Sequence, residues 1–146
     1  MKGLIILDFN RTLYDPDSER LVDGALDFLR SYSKTYALAL IGKGDDRRAS
    51  LIEELEIRKY FKHVQLKEEK EEADFTDCMK RLSFNPGSTW SVGDRIKKEI
   101  RLSNRSGIKT IWLRTGKFAS EGPELAEEEP MFTVSSFREI AGIIPL

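Results

Sequence analysis

The chain has 146 residues, with 24 Lys or Arg against 25 Asp or Glu, which gives a formal net charge of -1. That length fits one domain, residues 1–146, and the balanced charge excludes the strongly basic field of a general nucleic-acid binder. A single cysteine, Cys78, excludes an intrachain disulfide and a zinc ribbon, and a single histidine, His63, excludes a multi-histidine metal site. The start of the chain reads as neither a signal peptide nor a membrane span, so we expect a cytoplasmic protein without nucleic-acid or membrane partners.

Short apolar runs alternate with helical patterns along the chain. The apolar runs predict strands at residues 4–7, 36–41, 63–66, 88–93 and 108–113, with a short sixth at 132–134. The helical patterns lie around residues 22–29, 45–55, 75–82, 96–107 and 137–143. This alternation is typical of a parallel sheet with helices on both faces, joined by right-handed crossovers. We therefore predict an α/β domain of the three-layer α/β/α, Rossmann-like type.

Two polar stretches interrupt the alternation. Residues 14–18 are rich in turn-forming side chains and predict a loop. Residues 121–130 include a run of three glutamates, residues 127–129, and predict a solvated loop, because such charge runs are usually exposed.

Acids stand where two of the predicted strands end. Asp8 follows the first strand, Asp94 follows the fourth, and Glu99 comes five residues beyond Asp94. In open α/β sheets the carboxyl ends of the strands form the edge where ligands bind, and a divalent cation prefers oxygen ligands. These acids can therefore converge on one metal ion. The alternative is that Asp8 and Asp94 are turn residues and that Glu99 faces solvent on a helix.

The residues around these acids resemble the motifs of the haloacid dehalogenase (HAD) superfamily of phosphatases and phosphotransferases. The family opens with a strand ending in Asp-x-Asp-x-Thr, which is matched here by Asp8-Phe9-Asn10-Arg11-Thr12. Its last motif is Gly-Asp followed by another acid, matched here by Gly93-Asp94 and Glu99. Order, spacing and strand context agree over nearly the whole chain. The family's cap domains follow the first motif or separate the second from the third, and neither interval has room for one, so the resemblance implies a capless member.

The resemblance also implies a Mg²⁺-dependent reaction that passes through an aspartyl-phosphate. Asp8 is then the nucleophile, which suits a carboxylate because it is ionised at neutral pH without an activating base. The other Asp8 oxygen, the main-chain carbonyl of Asn10, and Asp94 are the implied Mg²⁺ ligands, with Glu99 acting directly or through water. The implied activity is hydrolysis or transfer of the phosphate of a phosphomonoester.

Three positions depart from the family pattern or leave a choice. Asn10 stands where the phosphatases carry the acid that protonates the leaving oxygen, and an amide cannot deliver a proton. Gly42 stands where a Ser or Thr hydroxyl binds phosphate, so only its backbone N–H and the neighbouring Lys43 are offered to the phosphate. For the lysine of the third motif, Lys70 fits the family spacing best and Lys67 lies closer to the end of the third strand; either one also fits a solvated charge run.

These departures leave two functions open. One is a Mg²⁺-dependent phosphatase of low activity, and the other is a degenerate module that binds Mg²⁺ and phosphate-like ligands, or a protein partner, without efficient turnover. A haloacid-type displacement is disfavoured because it gives Asp94 and Glu99 no metal to bind. Without a cap we expect an open site, which either admits bulky phosphorylated substrates or takes a lid from a neighbouring subunit.

Overall fold

A computed structural model describes residues 1–146 and contains eight strands and five α-helices. The strands are β1 (Leu4–Leu7), β2 (Tyr14–Asp15), β3 (Arg20–Leu21), β4 (Ala37–Lys43), β5 (His63–Lys67), β6 (Thr89–Gly93), β7 (Lys109–Leu113) and β8 (Phe132–Val134). The α-helices are α1 (Ala25–Tyr32), α2 (Asp46–Glu54), α3 (Glu72–Leu82), α4 (Arg101–Arg105) and α5 (Phe137–Ile140). A π-helical turn, Ile96–Ile100, leads into α4, and 3₁₀ turns cover Arg58–Tyr60, Pro86–Ser88, Gly116–Phe118 and Ala126–Glu128.

Six of the strands form one parallel sheet in the order β5-β4-β1-β6-β7-β8. The first strand lies at its centre, with Leu4 paired to Ala37 of β4 on one side and to Thr89 of β6 on the other. A central parallel strand must be apolar on both faces, which is why residues 4–7 form a continuous hydrophobic run. The predicted α/β/α sheet is confirmed.

The side chains of β1 alternate between two cores, one on each face of the sheet. Ile5 and Leu7 pack in the larger core, together with side chains of α1, α2 and α5. Leu4 and Ile6 pack on the opposite face against α3, where Phe75 belongs to the same cluster. Since successive strand residues point to opposite faces, the single short run anchors both layers. The carboxyl end of β1 is therefore fixed from both sides.

No cap domain interrupts the sheet within the chain. A small β-hairpin and α1 are all that separate β1 from β4, and α2, a 3₁₀ turn and β5 are all that separate β4 from the loop before α3. The expected absence of a cap between the motifs agrees with this structure. None of the helices has the length and apolar character needed to cross a membrane.

The segment predicted as a loop at residues 14–18 is partly strand, so that prediction is incomplete. β2 and β3 pair antiparallel, with Tyr14 opposite Leu21. The ring of Tyr14 stacks on Phe9, with the centroids 5.2 Å apart, and buries the base of the hairpin. The turn residues themselves are as expected, since the Asp15 carboxylate accepts hydrogen bonds within the turn. The aromatic contact packs one end of this hairpin against the core.

Residues 121–130 are only partly exposed, so the prediction of a solvated loop is wrong in part: Glu128 is buried, whereas Glu124, Leu125, Ala126 and Glu129 are exposed. The Glu128 side chain is 3% exposed, and its Oε1 accepts hydrogen bonds from two backbone N–H groups of the same segment. Glu127 Oε1 lies 2.8 Å from Nε of Arg101 in α4. Arg101 and Arg105 of α4 pair with Glu127, and backbone N–H groups hold Glu128. A charge run taken alone does not show that such partners exist.

Candidate active site

Three acids and one lysine meet at the carboxyl ends of β1 and β6. Asp8 directly follows β1, Asp94 directly follows β6, and Glu99 lies in the π-helical turn. One carboxylate oxygen from each acid lies within 4.8 Å of the others, and all three side chains are buried. Lys70 Nζ lies 2.9 Å from Asp8 Oδ1 and 3.1 Å from Glu99 Oε2. The sheet thus brings together residues that are up to 91 positions apart in the sequence.

Backbone and indole contacts hold the two strand-end acids in place. The Asp8 N–H donates to the carbonyl of Val92 in β6, at 3.2 Å, which ties the end of β1 to its neighbour. The Asp94 carbonyl accepts a 2.9 Å hydrogen bond from Nε1 of Trp112, a buried residue of β7. Both acids are therefore held through their main-chain atoms, independently of their carboxyl groups.

Glu99 is held by the turn that it faces. Its Oε1 accepts hydrogen bonds of 3.0 Å from the N–H groups of both Asp94 and Arg95. Its Oε2 faces Lys70, so one side chain joins the β6 turn to the lysine. Gly93 makes this approach possible, since a Cβ there would lie 2.1 Å from Cγ of Glu99.

Gly93→Ala is expected to destabilise the domain by about 1–3 kcal/mol, the usual cost of overpacking a core. Since the added methyl must displace Glu99, the variant should also bind Mg²⁺ more weakly than the parent does. Urea unfolding and calorimetric titration measure the two effects. Gly122→Ala is the matched control, because no atom lies within 4 Å of its Cβ position. Equal Mg²⁺ affinity in Gly93→Ala and the parent would contradict the assigned role of the glycine.

The two candidate lysines of the third motif go to different places. Lys70 points into the acid cluster, whereas Lys67 Nζ pairs with Glu71 and Asp74 at the start of α3. Asp74 also accepts hydrogen bonds from the Glu71 N–H, at 2.7 Å, and from Nε2 of Gln65, at 2.8 Å. These bonds fix the segment that carries Lys70. Proximity to the end of β5 favoured Lys67. The segment that precedes α3 instead places Lys70 beside Asp8 and leaves Lys67 beside Asp74.

Burial and mutual repulsion shift the pKa values of the acids. Burial, and then the charges of Glu99 and Asp8, raise the pKa of Asp94 to about 9. Burial and the charge of Glu99 raise the pKa of Asp8 to about 6, in spite of Lys70. Burial opposes ionisation of Glu99 as well. The charge of Lys70, and then the hydrogen bonds that Glu99 makes with Asp94 and with backbone N–H groups, nevertheless lower the pKa of Glu99. Burial acts to lower the pKa of Lys70, but the carboxylates of Asp8 and Glu99 outweigh it and leave the pKa raised.

The cluster therefore has too little positive charge to balance its carboxylates. Three buried carboxyl groups face one ammonium group, so full ionisation leaves two negative charges uncompensated in a poorly solvated site. A divalent cation beside Asp8 and Asp94 would supply this missing charge, and oxygen donors are what Mg²⁺ accepts. The residues present fit such an ion.

In metal-free protein, Asp94→Asn is expected to raise the free energy of unfolding increasingly from about pH 4 to about pH 9, since the neutral amide can be buried without taking up a proton. The folded pKa of Asp94, about 9, is above its reference value of 3.8. The stability linked to this proton is therefore full below about pH 4 and falls toward about pH 9, by up to about 1.4 kcal/mol per pH unit.

Urea unfolding in EDTA across this range measures the effect of Asp94→Asn. The parent should lose stability as the pH rises, and the variant should lose less. Mg²⁺ at about 100 times its Kd should return about 2.7 kcal/mol to the parent, and a smaller gain is expected in the variant. Parallel pH profiles in EDTA would show that Asp94 carries no buried proton.

The acid cluster lies in a cleft of about 480 Å³. Among the predicted residues, Asn10 and Lys43 line this cleft with Asp8, Lys70, Asp94 and Glu99. Gly42 does not line it, because it is packed between Leu40, Leu66 and Phe9, where a Cβ would meet carbon atoms at 3.3–3.5 Å. Lys67 does not line it either.

Several lining residues were not predicted from the sequence. They are Arg11, Glu68, Glu69, Arg95, Lys98 and Phe118. The Arg95 guanidinium lies 3.8 Å from the ring centroid of Phe118 and pairs with Glu121 at 3.1 Å, so the segment after β7 forms one wall of the cleft. The sequence position of Arg95, directly after Asp94, could have predicted its place in the cleft, because a residue next to a strand-end acid lies at the same edge of the sheet. Nothing local pointed to Phe118.

Comparisons with known protein families agree with this geometry. A family model described as HAD-hydrolase-like matches residues 71–140, which include Asp94 and Glu99. Over 70 residues the chain is 33% identical to a glyceraldehyde 3-phosphate phosphatase of Methanopyrus kandleri. That match takes in 48% of this chain and 30% of the relative, so the chain spans less than a third of that protein.

Solved structures show the same fold at low sequence identity. An uncharacterized protein from Listeria monocytogenes superposes with a TM-score of 0.80 at 19% identity, covering 97% of this chain and 96% of that one. A HAD-superfamily hydrolase from Geobacter sulfurreducens gives 0.77 at 11% identity, covering 99% and 100%. The magnesium-bound HAD-hydrolase YfnB from Bacillus subtilis gives 0.75 at 18% identity, covering 87% of this chain but 57% of YfnB.

Proposed function

We propose that this chain is a HAD-like, Mg²⁺-dependent phosphatase or phosphotransferase that acts on a phosphomonoester, because its motifs, its fold and the family model over residues 71–140 point to the same family. The observation that carries this proposal is the buried cluster of Asp8, Asp94 and Glu99 with Lys70 across it. A structural role alone does not explain three buried acids with one counter-charge, since burying unpaired carboxylates costs stability.

The metal ligands that we propose are the Asp8 and Asp94 carboxylates and the main-chain carbonyl of Asn10, with Glu99 acting directly or through water. When bound, Mg²⁺ offsets the repulsion between a phosphate dianion and the carboxylate nucleophile. The Glu99 Oε1 is already engaged by two backbone N–H groups, which favours a role through water for this side chain.

Asp8 is the proposed nucleophile. Its pKa of about 6 leaves it ionised at neutral pH, so a carboxylate oxygen can attack phosphorus without a base. The bond from phosphorus to the ester oxygen breaks, and the aspartyl-phosphate forms on Asp8. Water then attacks this phosphorus, releasing inorganic phosphate and restoring the carboxylate; in a phosphotransferase an alcohol takes the place of water.

Basic side chains around the cleft hold the phosphate group. Lys70 is already at hydrogen-bond distance from the nucleophile, and it can donate to a phosphate oxygen while it keeps Asp8 oriented. Lys43 lines the same cleft from the end of β4. With no hydroxyl at Gly42 and no acid at Asn10, we propose that the reaction is slow for esters whose leaving group needs a proton.

Phosphate release from p-nitrophenyl phosphate, with Mg²⁺ and with EDTA, tests the proposal. We expect release with Mg²⁺ and none above background in EDTA. A wider panel should include phosphoproteins and phospholipid headgroup esters, because no cap limits the size of the substrate. Absence of release from every ester at saturating Mg²⁺ would overturn the catalytic proposal.

A second function is favoured by the two departures at Asn10 and Gly42. A module that keeps the metal and phosphate sites but lacks an acid would bind Mg²⁺ and phosphate-like ligands, or a protein partner, without efficient turnover. Calorimetric titration with Mg²⁺ and then with vanadate distinguishes the two functions. Tight binding of both, together with no release from any ester, supports the binding module.

A further inference from the structure

A second cavity, of about 650 Å³, adjoins the active-site cleft. The two share Asn10, Lys43 and Glu68, so they form one continuous groove. The second cavity extends over the start of α2, where Arg47 and Arg48 line it. A substrate whose phosphate lies at Asp8 therefore has room for the rest of the molecule on this side.

The bases of this cavity have no acidic partners. Lys43, Arg47 and Arg48 form no ion pair within 4.0 Å anywhere in the protein. This is unusual for the chain, because most of the other bases near the cleft are paired; Lys70, Arg95 and Arg11 are examples. Three cations that form no ion pair along one cavity attract an anion.

Arg48 is held in place although it lacks a partner. Its guanidinium lies 4.9 Å from the ring centroid of Phe9, which directly follows the nucleophile in the sequence. Its Nη1 is buried and has no hydrogen-bond partner, an arrangement that costs stability unless a ligand compensates for it. Gly44 permits this close packing, because a Cβ there would lie 2.5 Å from Cβ of Arg48.

The two acids that line the cavity do not neutralise it. Asp45 accepts a hydrogen bond from the Arg47 backbone N–H, at 3.0 Å, and thereby caps α2. Glu68 is exposed and lies on the shared border of the two cavities. Three bases against these two acids leave the cavity net positive.

We propose that this cavity binds a second anionic group of the substrate, so that the preferred substrate is a phosphomonoester whose alcohol portion carries a carboxylate or another phosphate. This inference rests on the proposed function for the position of the first phosphate. A planar, partly buried arginine suits either anion, since it can donate two parallel hydrogen bonds.

Three flexible esters test the inference: butanediol monophosphate as the reference, butanediol bisphosphate, and the matching phosphooxybutyrate. The parent with Mg²⁺ should show kcat/KM for one or both two-anion esters about 10- to 100-fold above the reference, the usual value of a charged hydrogen bond. A gain on the bisphosphate alone identifies a phosphate, and a gain on phosphooxybutyrate alone identifies a carboxylate.

Arg48→Met should bring that ratio back toward one, and Arg47→Met should lower it in part. Arg30→Met is the matched control, because Arg30 is exposed on α1 and lines neither cavity. The same esters are also titrated calorimetrically into Asp8→Asn protein with Mg²⁺, with and without Arg48→Met. This titration measures the binding affinity that the subsite contributes, without turnover.

The outcomes separate the two proposals. If no ester is hydrolysed but Asp8→Asn protein binds a two-anion ester more tightly than the reference, and Arg48→Met removes the difference, the catalytic function fails and the subsite stands. Hydrolysis of all three esters with equal kcat/KM, in the parent and in Arg48→Met, overturns the subsite. Should Arg48→Met fail to fold, Arg47→Met decides by the same ratio.

Discussion

Asp8→Asn is expected to lower kcat/KM for every phosphomonoester by more than about 10³-fold, since an amide cannot form the aspartyl-phosphate. The substitution keeps the shape of the side chain, and the backbone hydrogen bond from Asp8 to Val92 does not depend on it. It removes one negative charge beside Lys70 and Glu99, so the fold should not be weakened. Release of inorganic phosphate from p-nitrophenyl phosphate at saturating Mg²⁺ measures the loss.

Asp27→Asn is the control for Asp8→Asn, because Asp27 is exposed on α1 and lines neither cavity. It should keep the parent's activity. A direct readout accompanies the kinetics: acid-quenched parent protein should carry acid-labile phosphate after exposure to substrate, and Asp8→Asn protein should carry none. Residual activity above about a tenth of the parent's would place the nucleophile elsewhere.

The sheet could be predicted because its strands are buried on both faces. Such strands are recorded in the sequence as uninterrupted apolar runs, and residues 4–7 and 36–41 are two of them. The acids at the strand ends could be placed for a related reason, since parallel strands must bring their carboxyl ends to one edge. Asp8 and Asp94 follow adjacent strands, β1 and β6, and adjacency at that edge is what brings the acids of the cluster together.

The parts that could not be predicted depend on contacts between distant segments. The partial burial of residues 121–130 depends on ion pairs with bases that are distant in the sequence, Arg95 with Glu121 and Arg101 with Glu127. The choice between Lys67 and Lys70 depends on how Asp74 caps α3. The second cavity depends on Arg48 reaching Phe9 across the start of α2, for which the sequence offers no periodic signal.

The side chain of Asn10 lies at the border of both cavities, and its backbone is fixed independently of it. The carbonyl of the preceding residue, Phe9, accepts hydrogen bonds from the N–H groups of Thr12, Leu13 and Tyr14. The Asn10 Oδ1 is buried and has no hydrogen-bond partner. A carboxyl group at this position would therefore replace the amide without moving the loop, and it would be neither neutralised nor tied up by a neighbour.

Asn10→Asp is expected to raise kcat/KM for an alkyl phosphate by about 10²- to 10⁴-fold, the usual contribution of a general acid. A carboxyl group in this partly buried position should have a raised pKa, because burial disfavours its charged form. It can then carry a proton near neutral pH and deliver it to the leaving oxygen. The main-chain carbonyl proposed as a metal ligand is unchanged by the substitution.

The contrast between two substrates identifies the cause of the gain. An alkoxide leaving group needs the proton, whereas p-nitrophenolate departs well without it, so Asn10→Asp should accelerate p-nitrophenyl phosphate much less than butyl phosphate. The pH profile for butyl phosphate should also acquire a basic limb in the variant, where the new acid loses its proton. Asn10→Ser serves as the control, since it removes the amide without supplying an acid. An equal gain on both substrates, or none on butyl phosphate while Asp8→Asn still abolishes activity, would show that Asn10 does not occupy the position of a general acid.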